Sequence, residues 1–180
     1  MSDAIWREVS FASVVFKISQ IFYLNNKKLG KSPFLELSKK CYSDILIYSL
    51  SRIIKQQKDS CSIFKIGHYI DANVKNIFNE TTKQEQLRQL VKKISEIKNT
   101  SLCGEIEKFR DNTGAHISLK HAKKGQSIKL VYNIEGIGKL IDHIDLVLND
   151  IYVVLGEVPL TYYKGDFGED LKKIIDCKCI

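Results

Sequence analysis

The sequence predicts an all-α fold of about five to seven helices. Apolar residues recur near the 3.6-residue helical period in several long segments. Helix breakers are scarce, with two prolines and ten glycines in 180 residues. Start and stop residues stand where such helices need them. Together these fit one domain over residues 1–180, with a core from about 4 to 155 and a C-terminal extension over 156–180.

The first helix spans Ala4 to Leu24, with Ile5, Val9, Ala12, Phe16, Ile18, Ile21 and Phe22 on its apolar side. Lys27, Lys28 and Gly30 close it, since cations and glycine suit a helix C-terminus. Ser32 and Pro33 open the next as N-cap and first helical residue. Its apolar stripe reads Leu37, Cys41, Ile45, Tyr48, Ile53 and Ile54, and polar Lys55 to Asp59 ends it. A shorter helix covers Ser62 to Tyr69, weakened by Gly67, and polar Asp71 to Thr81 reads as a loop. Thr82-Lys83-Gln84-Glu85 has capping-box spacing and opens a helix with Leu87, Leu90, Val91, Ile94 and Ile97 on one face. Asn99-Thr100-Ser101 interrupts, and a further helical run extends from Leu102 to Phe109. Lys123 to Gln126 forms a turn, and Ser127 to Tyr132 alternates as a short strand would. The last clear helix runs from Ile137 to Leu155, ended by Gly156 and Pro159, and Leu171 to Ile175 adds a short helix in the tail.

The hydrophobic share of 44% is ordinary for a globular protein. The net charge of +7 favours an anionic partner, most simply nucleic acid, although a solvated lysine-rich surface carries the same charge. Asp3 and Glu8 stand where a secretory signal needs cations, and Lys17 interrupts the best N-terminal apolar run. A cytoplasmic location away from membranes is therefore expected. Five cysteines, with no Cys-x-x-Cys pair, predict reduced thiols. Cys177-Lys178-Cys179 lacks further ligands nearby, and no metal or cofactor is expected.

The stretch with most chemistry is Arg110-Asp111-Asn112-Thr113-Gly114-Ala115-His116. A permanently charged guanidinium matches phosphate oxygens, and a histidine moves protons near neutral pH. On a straight helix the two side chains stand about 120° out of phase. Asn112, Thr113 and Gly114 favour leaving helical geometry, which would let both face one cleft. Asp111 is placed to orient its neighbours. By spacing alone, a surface arginine and a helix-end histidine explain the same letters. One histidine does not readily serve as both base and acid, so the chemistry points to two copies facing each other in a homodimer.

The segment Glu107 to His116, EKFRDNTGAH, resembles the signature of the HEPN superfamily of small helical proteins. That signature is an arginine with a polar residue directly after it, then a histidine, with four to six residues between arginine and histidine. Upstream, Asp44, Arg52, Asp59 and Ser62-Ile63 within Tyr42 to Ile66 are similar to the AbiU-like, abortive-infection branch. The resemblance covers about Phe34 to Leu155. It implies an up-and-down, dimerising helical bundle and a metal-independent endoribonuclease of toxin–antitoxin or antiphage defence. It also admits an inactive RNA- or nucleotide-binding subunit beside a nucleotidyltransferase-type antitoxin. Carried over by motif, Arg110 holds the scissile phosphate, Asp111 orients and His116 transfers protons. Some members have a tyrosine two positions past the histidine, the target of partner modification; Ser118 stands here, a departure that removes that target.

After the motif, no acidic residue occurs between Ile117 and Lys129. Lys120, His121, Lys123 and Lys124 form a candidate phosphate track, read equally well as a solvated loop without aromatics. Arg52 is a further candidate anion contact, or part of a polar seam with Asp44 inside the bundle. His143 reads as a satisfied helix-face histidine.

Overall fold

A computed structural model describes residues 2–29, 32–55, 62–111 and 133–158, together with Leu171 and Ile175. Among them every regular element is helical: α1 (Ser2–Leu24), α2 (Asn26–Leu29), α3 (Pro33–Ile54), α4 (Ile63–Ile77), α5 (Thr81–Lys98), α6 (Ser101–Phe109) and α7 (Ile134–Leu155). No described helix is long and apolar enough to cross a membrane.

The helices close into a bundle because each long one buries a stripe against two others. α1 packs on α3 and α7, α5 packs on α4 and α7, and α6 lies against α3. Glu8 meets Arg52 and Phe22 stacks on Tyr42, so α1 and α3 run antiparallel. Trp6 meets Tyr152 edge to face at 5.4 Å, and Phe16 lies over Gly138, so α1 and α7 are antiparallel too. Ile5, Trp6, Leu46, Leu50, Ile94, Ile97, Ile144 and Leu148 are among the residues of the shared core. Each fully buried aliphatic side chain there contributes about 1.5–3 kcal/mol relative to exposure. A second, smaller cluster forms where Leu171 and Ile175 of the tail meet Phe22, Leu35, Ile18 and Tyr42.

Local chemistry explains several boundaries. Ser32 accepts from the Leu35 amide, and Pro33 occupies the first turn of α3. Ser62 caps α4 by accepting from the Lys65 amide. Asn133 caps α7 by accepting from the Gly136 amide at 2.8 Å. Gly156 ends α7 at φ 77°, a conformation open to glycine without strain.

Four expectations need correction. Lys27 and Lys28 do not close α1, which ends at Leu24: after a turn at Asn25 they belong to a separate helical turn, Asn26 to Leu29. The α3 stripe is misphased: Phe34, Leu37 and Ile45 face outward, while Leu35, Leu46, Ile47, Ser49, Leu50, Ser51, Ile53 and Ile54 are buried. The buried serines hid the true face. α4 does not stop at Tyr69; it continues to Ile77, because Ile70, Val74 and Ile77 extend its apolar face while Asp71, Ala72, Lys75 and Asn76 point outward. At Gly67 a Cβ would lie 3.1 Å from Ile94 Cγ2, so the missing side chain lets α4 approach α5 closely. Finally, α5 starts one residue before the proposed capping box and has no side-chain cap; Gln84 instead donates to the Phe78 carbonyl at 2.7 Å. The turn at Lys123 to Gln126 and the short strand at Ser127 to Tyr132 lie outside the described residues.

Candidate functional site

α6 is a short helix anchored by two buried side chains, Cys103 and Ile106. Burial pushes the Cys103 thiol above its ordinary pKa, a nearby Thr100 hydrogen bond opposing the shift, and Cys103 Sγ donates to the Ile97 carbonyl. This anchoring fixes the position of the next residue, Arg110. Its amide still bonds back to Ile106 and Glu107, but Arg110 and Asp111 widen into a π-type turn. Arg110 itself keeps right-handed helical dihedrals (φ −56°, ψ −49°), so it is the hydrogen-bond pattern that changes at this end of α6. Asn112, Thr113 and Gly114, the expected breakers, lie outside the described residues.

Arg110 is held on one edge. Asp111 Oδ1 accepts from Nε at 2.8 Å and from Nη2 at 2.6 Å. The Arg110 side chain is only 16% exposed, while that of Asp111 is 61% exposed. The third nitrogen, Nη1, is buried and has no hydrogen-bond partner among the described residues. A buried guanidinium N–H without an acceptor is costly, and an anion is the ligand that best relieves it. The carboxylate neutralises one edge and stiffens the side chain, leaving the other nitrogen to face a second acceptor.

His116, Lys120, His121, Lys123 and Lys124 lie outside the described residues, as do Ser118, Asp59, Cys61 and the Cys177-Lys178-Cys179 tail. Arg52 is described, and the acidic residue it meets is Glu8. Its side chain is 71% exposed and its Nη1 lies 3.4 Å from Glu8 Oε1 of α1. The polar seam between α1 and α3 therefore runs along the surface of the bundle, a correction to its expected place inside. An exposed pair of this kind contributes at most about 1 kcal/mol.

One feature had no signature in the sequence. A groove of about 240 Å³ opens between the α5–α6 junction and the start of α7. Ile97, Leu102 and Leu140 form its apolar wall, with Thr100, Asn133 and His143 adding polar groups. His143, expected to be satisfied on a helix face, has no hydrogen-bond partner among the described residues and lines this groove instead. Beside the groove, Lys139 donates to Glu135 at 2.7 Å and holds that carboxyl below its ordinary range. These residues come from two separate stretches, 97–102 and 133–143, so only the fold brings them together.

Among the described residues no three His, Cys, Asp or Glu side chains converge as a metal site. Cys41 is free and exposed, and Cys103 free and buried. No family model, curated protein or solved structure matches the chain.

Proposed function

We propose that this chain is a metal-independent endoribonuclease of a toxin–antitoxin or antiphage defence system, of the HEPN type. It acts as a homodimer with Arg110, Asp111 and His116 of two copies lining one cleft. The observation that carries the reading is the Arg110 guanidinium, clamped by Asp111 yet with Nη1 buried and lacking an acceptor. The all-helical frame, the irregular turn that begins at Arg110 and the net charge of +7 support it.

In this mechanism the RNA 2′-hydroxyl attacks the adjacent phosphorus. One His116 takes the 2′ proton as the new O–P bond forms. Arg110 donates to a non-bridging oxygen as negative charge accumulates on the phosphorane. The 5′-oxygen leaves with its electron pair and takes a proton from His116 of the second copy. The products are a 2′,3′-cyclic phosphate and a 5′-hydroxyl. Lys120, His121, Lys123 and Lys124 contribute backbone attraction beside the cleft.

The test is incubation with RNA in EDTA. Wild type is expected to cleave, leaving cyclic-phosphate ends. Arg110→Ala and His116→Ala are each expected to lower the rate by about 10²-fold or more. Cleavage that requires a divalent metal, or that survives both substitutions, overturns the mechanism. Tight RNA or nucleotide binding without turnover would instead assign the chain as an inactive binding subunit beside a nucleotidyltransferase-type partner.

A further inference from the structure

α3 is apolar on two opposite sides. One side enters the core. On the other, Phe34, Leu37, Cys41, Ile45 and Tyr48 recur at three- and four-residue intervals and form a single stripe. Phe34 is 71% exposed, Leu37 61% and Ile45 39%. Cys41 is also exposed and Tyr48 is half-buried. At about 150–200 Å² for a large side chain, the first three alone leave roughly 300 Å² of apolar surface in water. One share of a standard protein interface is about 800 Å², a little over half of it apolar. Those three side chains thus supply roughly two-thirds of the apolar part of one such share.

The flanks say what fits. Lys40 and Asp44 stand one helical turn apart on the same side of the stripe, and neither has a partner among the described residues. Glu36, by contrast, is taken by Lys39 at 3.8 Å. A cation and an anion one turn apart on one flank are self-complementary under a two-fold axis, which exchanges their positions. An axis crossing α3 near Tyr42 sets Lys40 beside Asp44 of a second copy, and Asp44 beside its Lys40. In that register Leu37 stands within one residue of Tyr48 of the second copy, and Cys41 within two residues of Ile45.

We propose that the outward stripe of α3 is a self-association surface, on which two copies pack α3 antiparallel about an axis near Tyr42. The apolar stripe forms its centre and two reciprocal Lys40–Asp44 pairs set its register. The inference stands on α3 alone and not on the nuclease reading, so RNA cleavage can fail while this dimer holds.

Sedimentation of the full chain over a concentration series tests it. Wild type is expected to dimerise, and Leu37→Glu or Ile45→Glu to weaken the dimer at least tenfold. Both positions are exposed, so helicity should stay unchanged, as should the melting midpoint at concentrations where every chain is monomeric. Lys40→Asp or Asp44→Lys alone should weaken association several-fold, and the double exchange should restore it. A second measurement leaves the surface intact. With Cys61, Cys177 and Cys179 changed to serine, a short bis-maleimide should join two chains through Cys41, which this packing brings within about 10 Å of its copy. A chain monomeric at every concentration would leave the stripe to a different protein and overturn the proposal. So would a dimer unmoved by Leu37→Glu, or charge exchanges that fail to rescue each other.

Discussion

Arg110 and Asp111 are adjacent in sequence, and their pairing was legible there as an orienting carboxylate beside a phosphate-type cation. What the letters do not give is which nitrogens the carboxylate takes. The structure assigns Nε and Nη2 to Asp111 and leaves Nη1 buried without a partner among the described residues. Cys103 shows the same division. Its place in a helical run was readable, but its raised thiol pKa comes from burial against α5 and the core. The sign follows directly. Below the ordinary thiol value of 9.0, folded and unfolded chains both keep the proton, so Cys103 contributes no pH dependence there. As pH rises through that value the unfolded chain ionises first, and stability falls until the folded thiol also titrates. Urea midpoints measured from about pH 8 to 10 should therefore fall more steeply in wild type than in Cys103→Ala. Parallel curves for the two proteins would refute this.

Elements were readable where one apolar face dominated. α5 and α7 follow their expected stripes because Leu87, Leu90, Ile94 and Ile97, and Ile137, Leu140, Ile141, Ile144, Val147, Leu148 and Ile151, have polar residues on the other side. α3 misled because it has two apolar faces, and small serines fill part of the inward one. α4 misled because a polar outer face was mistaken for a loop, although Ile70 and Val74 kept the inner face continuous. Caps were read unevenly. Ser32 caps α3 as expected, Thr82 sits inside α5 and caps nothing, and Asn133, not foreseen as a cap, accepts from the Gly136 amide at 2.8 Å. Asn133→Ala should lower stability by about 1 kcal/mol. Thr82→Ala should stay within about 0.5 kcal/mol of wild type. Chemical denaturation of both variants checks the contrast, and an equal loss in each would contradict the cap assignment.

For the whole molecule, charge is the property that needs no fold. Under the proposed ribonuclease function, a net charge of +7 makes any RNA affinity salt-dependent wherever the cations sit. On single-stranded RNA the logarithm of affinity should fall with the logarithm of salt by about 0.7 for each phosphate contacted. Replacing Lys120, Lys123 and Lys124 together by alanine should make that slope shallower by about two units in binding titrations. An unchanged slope would remove those lysines from the interface. The sequence by itself determined that the chain is helical, where most helices begin and end, and that an arginine, an aspartate and a histidine are grouped after α6. Those are consequences of local periodicity, capping and chain order. Only the tertiary structure decided which face of α3 is core and which is free, that Gly67 is a close contact with Ile94, and that Thr100, Asn133 and His143 share a groove. Each of these depends on which helices pack together, and that is set by the joint fit of all the apolar faces, which no single segment contains.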